Sequence, residues 1–173
     1  MSSLILTVIG PDKPGLIEAL ASVVAGQGGN WLESRMTRLG GQFAGIVHVQ
    51  ISKEQHPGLI ENLDTLQARG LTVSVFADGR LQPPSSGMQA EIEWVGNDRP
   101  GIVNQISHAL AEYQVNVEEL HTEVLSAPMA GGQIFQARAK VRLPENCQLA
   151  SLRRQLEEVA SDLQVDIRFQ TGE

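Results

Sequence analysis

Gly10-Pro-Asp-Lys-Pro-Gly-Leu-Ile17 is answered 96 − 10 = 86 residues later by Gly96-Asn-Asp-Arg-Pro-Gly-Ile-Val103. The match runs on at the same offset. Leu16, Ile17, Leu20, Val23 and Val24 meet Ile102, Val103, Ile106, Ala109 and Leu110. Those positions fall at i, i+1, i+4, i+7 and i+8, one face of a 3.6-residue helix. Asn30 meets Asn116 and Glu33 meets Glu119. Self-similarity at a fixed period decides the fold before any local propensity does. The chain is two copies of one small unit in tandem, expected as residues 1–77 and 88–173 with a linker at 78–87.

Each copy reads in the same order. Leu4–Ile9 is an apolar, β-branched run, read as a strand buried on both faces. The helix that follows the quoted stretch closes at Gly26-Gln-Gly-Gly29, a C-cap signature. Asn30–Leu39 and Gln42–Ile51 are strands about a Gly40-Gly41 turn. Leu59, Ile60, Leu63 and Leu66 mark one face of a second helix, and Leu71, Val73 and Val75 a closing strand. Asp78–Gly87 has the Pro, Gly and Ser content of a linker. In the second copy Ala90, Ile92 and Trp94 alternate with Glu91 and Glu93. The hairpin there is longer, because Gly131-Gly132-Gln133 echoes Gly40-Gly41-Gln42 at 131 − 40 = 91. Phe135, Ala137, Ala139, Val141 and Leu143 point inward. Leu149, Leu152, Leu156 and Val159 mark the last helix, and Leu163, Val165, Ile167 and Phe169 the last strand.

The order is βαββαβ twice, so the fold class is α+β. Each unit is expected to be ferredoxin-like, a four-stranded antiparallel sheet with both helices on one face. The other face of the second sheet carries Glu91, Glu93, Arg138, Lys140, Asp166 and Arg168, which suits water. The first has Ile5, Ile9 and Ile46 there, which favours burial. Units of this size are marginal alone, so association with a second chain (a homo-oligomer) or between the units is expected.

Charge narrows the function. Residues 1–80 hold 6 − 7 = −1 and residues 81–173 hold 7 − 13 = −6, making the −7 of the chain. Neither half supplies the basic face of a direct nucleic-acid binder. Cys147, the single cysteine, leaves no intramolecular disulfide and fits a reducing compartment as a structural thiol. The amino terminus lacks the basic region of a signal peptide, and no apolar run reaches the roughly 20 residues that cross a bilayer. A cytoplasmic protein without membrane contact is expected.

The repeated stretch puts Asp12 and Asp98 before a base, Pro and Gly at a helix start. Two readings stand. Proline suits a first helical turn and Asp can cap its free N–H groups, which makes the motif punctuation. Alternatively, uncovered N–H groups attract a carboxylate and the amides of Asn30 and Asn116 offer a donor and an acceptor. Together with Asp12 or Asp98 for an ammonium, these groups suit a small zwitterion. Asn30 and Asn116 also read simply as turn residues.

These segments, with Asn30-Trp-Leu-Glu-Ser-Arg35 and Asn116-Val-Glu-Glu-Leu120, resemble the ACT domain, a small amino-acid-sensing regulatory module. At this length, with the start Thr7-Val-Ile-Gly-Pro-Asp-Lys-Pro-Gly-Leu16, the pair is similar to the glycine cleavage system transcriptional repressor family. That resemblance implies a cytoplasmic regulator that responds to glycine and does not read DNA itself. It implies a LysR-type transcriptional activator as protein partner. It places the ligand loop at Asp12, Lys13, Pro14, Gly15 and Leu16, and at Asp98, Arg99, Pro100, Gly101 and Ile102, with Asn30 and Asn116 on the second strands. The longer hairpin and more charged face of the second copy depart from strict duplication, so the two sites need not be equivalent. A regulatory subunit that binds an amino acid and modulates a metabolic enzyme fits the same fold.

Enzymatic rivals lack their residues. An acylphosphatase on this frame needs an Arg-bearing phosphate loop after its first strand. His48, His56, His108 and His121 are scattered, with no metal-ligand spacing, and no nucleophile motif appears. No metal or cofactor is expected. An RNA-binding RRM needs aromatics on its central strands, and Phe43 and Phe135 do not make that pattern.

Overall fold

The computed structural model describes residues 2–78, 86–127 and 131–172. It divides into two units, Met1–Gln82 and Pro83–Glu173. The first unit runs β1 (Ser2–Pro11), α1 (Leu16–Gly26), β2 (Asn30–Leu39), β3 (Gln42–Ile51), α2 (His56–Thr65) and β4 (Thr72–Asp78). The second runs β5 (Met88–Asn97), α3 (Ile102–Glu112), β6 (Asn116–Ser126), β7 (Gln133–Leu143), α4 (Leu149–Leu163) and β8 (Val165–Thr171). Short 3-10 turns at Lys53–Gln55 and Leu66–Arg69 flank α2. Both sheets are antiparallel with the same order, β2-β3-β1-β4 and β6-β7-β5-β8. The expected α+β, ferredoxin-like tandem is the observed one. Most of the expected linker, residues 79–85, lies outside the described residues, as do residues 128–130 of the longer hairpin.

Each unit has its own apolar core between the sheet and its helices, and no polar or charged residue is fully buried among the described residues. Leu4, Leu6 and Val8 enter the first core together with Leu16, Leu20 and Val24 of α1. β1 is not buried on both faces. Both helices lie on one side, so the odd positions face outward and Ile9 is 50% exposed. Ile60 likewise departs from the expected face of α2 and is 44% exposed, whereas Leu59 and Leu63 are buried. At i+1 from Leu59 it is turned about 100° away from the core stripe.

The helix stops are alike in the two units. Gly29 N–H donates to the Val24 carbonyl and Gly28 N–H to that of Ala25. In the second unit Val115 and Gln114 make the same pair of bonds to Leu110 and Ala111. This is the six-to-one, five-to-two closure that satisfies the last free carbonyls. Each second strand also bulges at the same place, between Trp31 and Glu33 and between Val117 and Glu119.

Register corrects the hairpin alignment. Gly10 pairs with Phe43, and its counterpart Gly96 pairs with Phe135. The structural offset on the third strand is therefore 135 − 43 = 92, not 91. A glycine pair in a turn can slide, but a one-residue slip in a strand would turn its apolar side chains outward.

Candidate ligand site at the helix starts

Each first strand ends in a sharp corner. Asp12 N–H donates to the Gly41 carbonyl and Asp98 N–H to that of Gln133, both at 2.9 Å. The chain then turns through Gly15 (φ 86°) and Gly101 (φ 95°), the N-cap residues of α1 and α3. That left-handed backbone is costly for any residue with a Cβ, which explains the glycine in both copies. Ala19 N–H and Gln105 N–H close the first turns onto the carbonyls of Gly15 and Gly101 at 3.0 Å.

Neither helix has a side-chain cap. Asp12 and Asp98 are thus not the capping residues that the punctuation reading requires. The amides of Leu16, Ile17 and Glu18, and of Ile102, Val103 and Asn104, find no acceptor among the described residues. There is open space beside the cap glycines. A Cβ built on Gly15 would meet nothing within 4 Å, and one on Gly101 would meet only the Gln105 side chain, at 3.6 Å. Asp12, Lys13, Pro14 and Gly15 are exposed, as are Asp98, Arg99, Pro100 and Gly101. Leu16 and Ile102 are buried in their cores, so their side chains anchor the helix and only their amides face the corner.

The carboxylates are differently placed in the two units. Asp12 pairs with Arg38 of β2, Nε to Oδ2 at 2.5 Å. Arg38 was not singled out from sequence. At the repeat offset its counterpart is Val124 (38 + 86), so the inequality was present in the chain. Asp98 has no ion pair among the described residues. Arg99 instead reaches the Asp162 carbonyl on α4 at 3.1 Å and ties its loop to that helix.

The two asparagines are elsewhere. Asn30 opens β2 and pairs with Gln50, which also faces Ser3 of β1. Pro11 is level with Gln42 at the opposite end of the same sheet. At about 3.4 Å per residue, Asn30 is about 25 Å from the Asp12 corner of its own unit. Asn116, level with Arg142, is separated from Asp98 in the same way. Within one unit, loop and asparagine are not brought together.

The conserved layout has known relatives. A family model for the ACT domain matches residues 2–76 and again 91–170. The chain belongs to the ACT domain family, carrying two such domains. A UPF0237 protein of Methanopyrus kandleri is 34% identical over 83 residues, which are 47% of this chain and 86% of that one. A UPF0237 protein of Streptococcus mutans is 33% identical over 49% of this chain and 90% of its own. Among solved structures, a protein of unknown function from Galdieria sulphuraria superposes with a TM-score of 0.82 at 28% identity, covering 99% of both chains. A protein provisionally assigned as a glycine cleavage system transcriptional repressor superposes with a TM-score of 0.74, covering 99% of this chain and 98% of its own. Its identity is 17%, so that likeness shows the shared fold.

Proposed function

We propose that this protein is an amino-acid-sensing regulator of the glycine cleavage repressor type, without catalytic activity of its own. It binds a small amino acid, glycine first, at the open helix starts. It acts in the cytoplasm on a protein partner, a LysR-type transcriptional activator, rather than on DNA. The observation that carries this reading is the pair of amide clusters at Leu16–Glu18 and Ile102–Asn104, which find no acceptor among the described residues of either unit, beside cap glycines with open space around them. Such an N-terminus favours a carboxylate by about 0.3–1 kcal/mol when exposed and up to ~2 when partly buried. That alone is too little for useful affinity. Useful affinity therefore needs a further wall over the corner, supplied when a second chain covers it, and an asparagine amide of that chain (Asn30 or Asn116) would complete the shell. With no ion pair among the described residues, the Asp98 carboxylate makes the second corner the better host for an ammonium, since Asp12 already pairs with Arg38.

Five heavy atoms at the ceiling of about −1.5 kcal/mol each reach about −7.5 kcal/mol, low-micromolar affinity at best. Regulation then follows if ligand binds two arrangements of the protein unequally, exposing or hiding the partner surface. Calorimetry with glycine, alanine and serine at millimolar concentration tests the sensing claim; no heat from any of them overturns it. Asp98→Ala and Asn116→Ala should each weaken binding without unfolding the chain, and unchanged affinity would move the site. Pull-down with glycine present or absent should recover a transcription factor. Recovery of a metabolic enzyme instead would favour the regulatory-subunit reading.

A further inference from the structure

The outward face of the first sheet is apolar where its duplicate is charged. On β1, β3 and β4 it presents Ile5, Ile9, Ile46 and Phe76 around Thr7 and Ser74, set side by side by the register. Ile9, Ile46 and Phe76 are 50%, 54% and 56% exposed. Superposing the registers of the two sheets shows what the second unit keeps at the same places. Ile5 corresponds to Glu91, Thr7 to Glu93, Ile46 to Arg138, Ser74 to Arg168 and Phe76 to Gln170, while Ile9 keeps an apolar counterpart in Val95. There the charges pair across strands, as in Arg138 Nε to Glu93 Oε1 at 2.7 Å and Lys140 Nζ to Glu119 Oε2 at 3.2 Å. The duplicate is an internal control. At Ile5 and Ile46 the same fold accepts ionised side chains and at Phe76 a polar one, so the apolar character of those three positions in the first unit is not needed for folding. Exposed contiguous apolar patches of this kind mark interaction surfaces.

We infer that this face is the seat of a second copy of the same chain, packed sheet to sheet through the same surface on both. Charge selects the occupant. In a two-fold contact every side chain can meet its own kind, so a face rich in one sign repels itself. Here β1, β3 and β4 present no acid or lysine or arginine on this face among the described residues before Asp78. The β2 edge adds Glu33 and Arg35, one charge of each sign, which an antiparallel two-fold can set against each other. His48, the titratable group within the patch, shares a 2.5 Å hydrogen bond with Ser3 Oγ, so its polar end is met inside the face. A charged protein surface, including one like the outward face of the second sheet, would lose the hydration of its ions against these isoleucines without compensation. Four strands about 4.8 Å apart and about seven residues long present about 450 Å² per copy. The two copies together bury about 900 Å², the range of weak and reversible associations. The dimer is thus concentration-dependent, and it forms without any amino acid.

Sedimentation velocity of the full chain, without ligand, from about 1 to 500 μM tests this. The expected result is a shift from monomer to dimer across that range. The double variant Ile5→Glu with Ile46→Arg, which borrows the side chains the second unit carries, should stay monomeric throughout with unchanged circular dichroism. Glu93→Gln on the second sheet should leave the association as it is. If the double variant loses its fold, Phe76→Ser is read in the same assay and should raise the dissociation constant by about tenfold or more. A wild-type chain monomeric at every concentration, or variants that dimerise as it does, overturns the inference. Because no amino acid is present, either failure leaves the calorimetric test of sensing untouched.

Discussion

Gln114 holds a left-handed backbone, φ 56°, at a helix stop where the first unit uses Gly28, φ 68°. A side chain there costs about 1 kcal/mol relative to glycine. Gln114→Gly is therefore expected to stabilise the second unit by about that amount in urea titration, offset slightly by greater freedom of the unfolded chain. Gly10 and Gly96 are glycines for a different reason. A Cβ on Gly96 would lie 2.5 Å from Val165 Cγ1 and 2.9 Å from the Gln164 carbonyl, and one on Gly10 would lie 2.7 Å from the Gly70 carbonyl. The first letter of the repeated motif is thus a packing requirement where the closing strand begins. Gly96→Ala should cost about 1–3 kcal/mol by overpacking. A change under about 0.3 kcal/mol would show that β8 yields more easily than its position suggests.

Among the elements, the second strands carry the informative irregularity. The bulge sets an extra residue at the edge of each sheet, Leu32 in one unit and Glu118 in the other. Glu118 turns this to use by accepting from Arg142 Nε at 2.5 Å and from Gln89 Nε2 at 3.2 Å. The Arg142 hydrogen bond, seconded by Gln89, holds its carboxyl below the usual glutamate range. A carboxyl depressed in the folded state contributes stability above its unfolded pKa and loses it as pH falls through the folded value. Glu118→Gln should therefore destabilise the chain modestly at pH 7, and the difference from wild type should shrink as pH drops below the ordinary glutamate range. A gap of constant size down to pH 2.5 would assign the loss to shape instead. The effect is small because the pair lies at the surface, where water screens it.

For the molecule as a whole, the two domains share a core plan but not a surface. The first offers an apolar sheet face, a corner acid paired with Arg38 and a short hairpin. The second has a charged face, a corner acid without an ion pair among the described residues, and a longer hairpin. Duplication kept what holds each unit together and let the exposed positions diverge. Ligand linkage gives the prediction at this scale. Glycine at about 100 times its dissociation constant should stabilise the binding-competent protein by about 2.7 kcal/mol. Asp98→Ala should reduce that ligand-dependent gain more than Asp12→Ala does. Equal losses would mean that the Arg38 pair does not set the Asp12 corner apart. Among the described residues no helix is long and apolar enough to cross a membrane.

The element order, the duplication and the inward faces of most strands and helices were readable from the chain, because they rest on local periods of 2 and 3.6 residues. The glycine turns and helix stops were readable for the same reason, as was the contrast between the two sheet faces. What the line of residues did not contain was neighbourhood across the sheet. It was the strand order that set Asn30 at the far end from Asp12, and the hairpin that carried Arg38 across to that acid. The added residue in the third-strand offset and the outward turn of Ile60 also waited for the packed structure. Such contacts join residues whose separation in the chain is set by which strands pair and in what register. Burial of the whole face, summed over all four strands, decides that pairing.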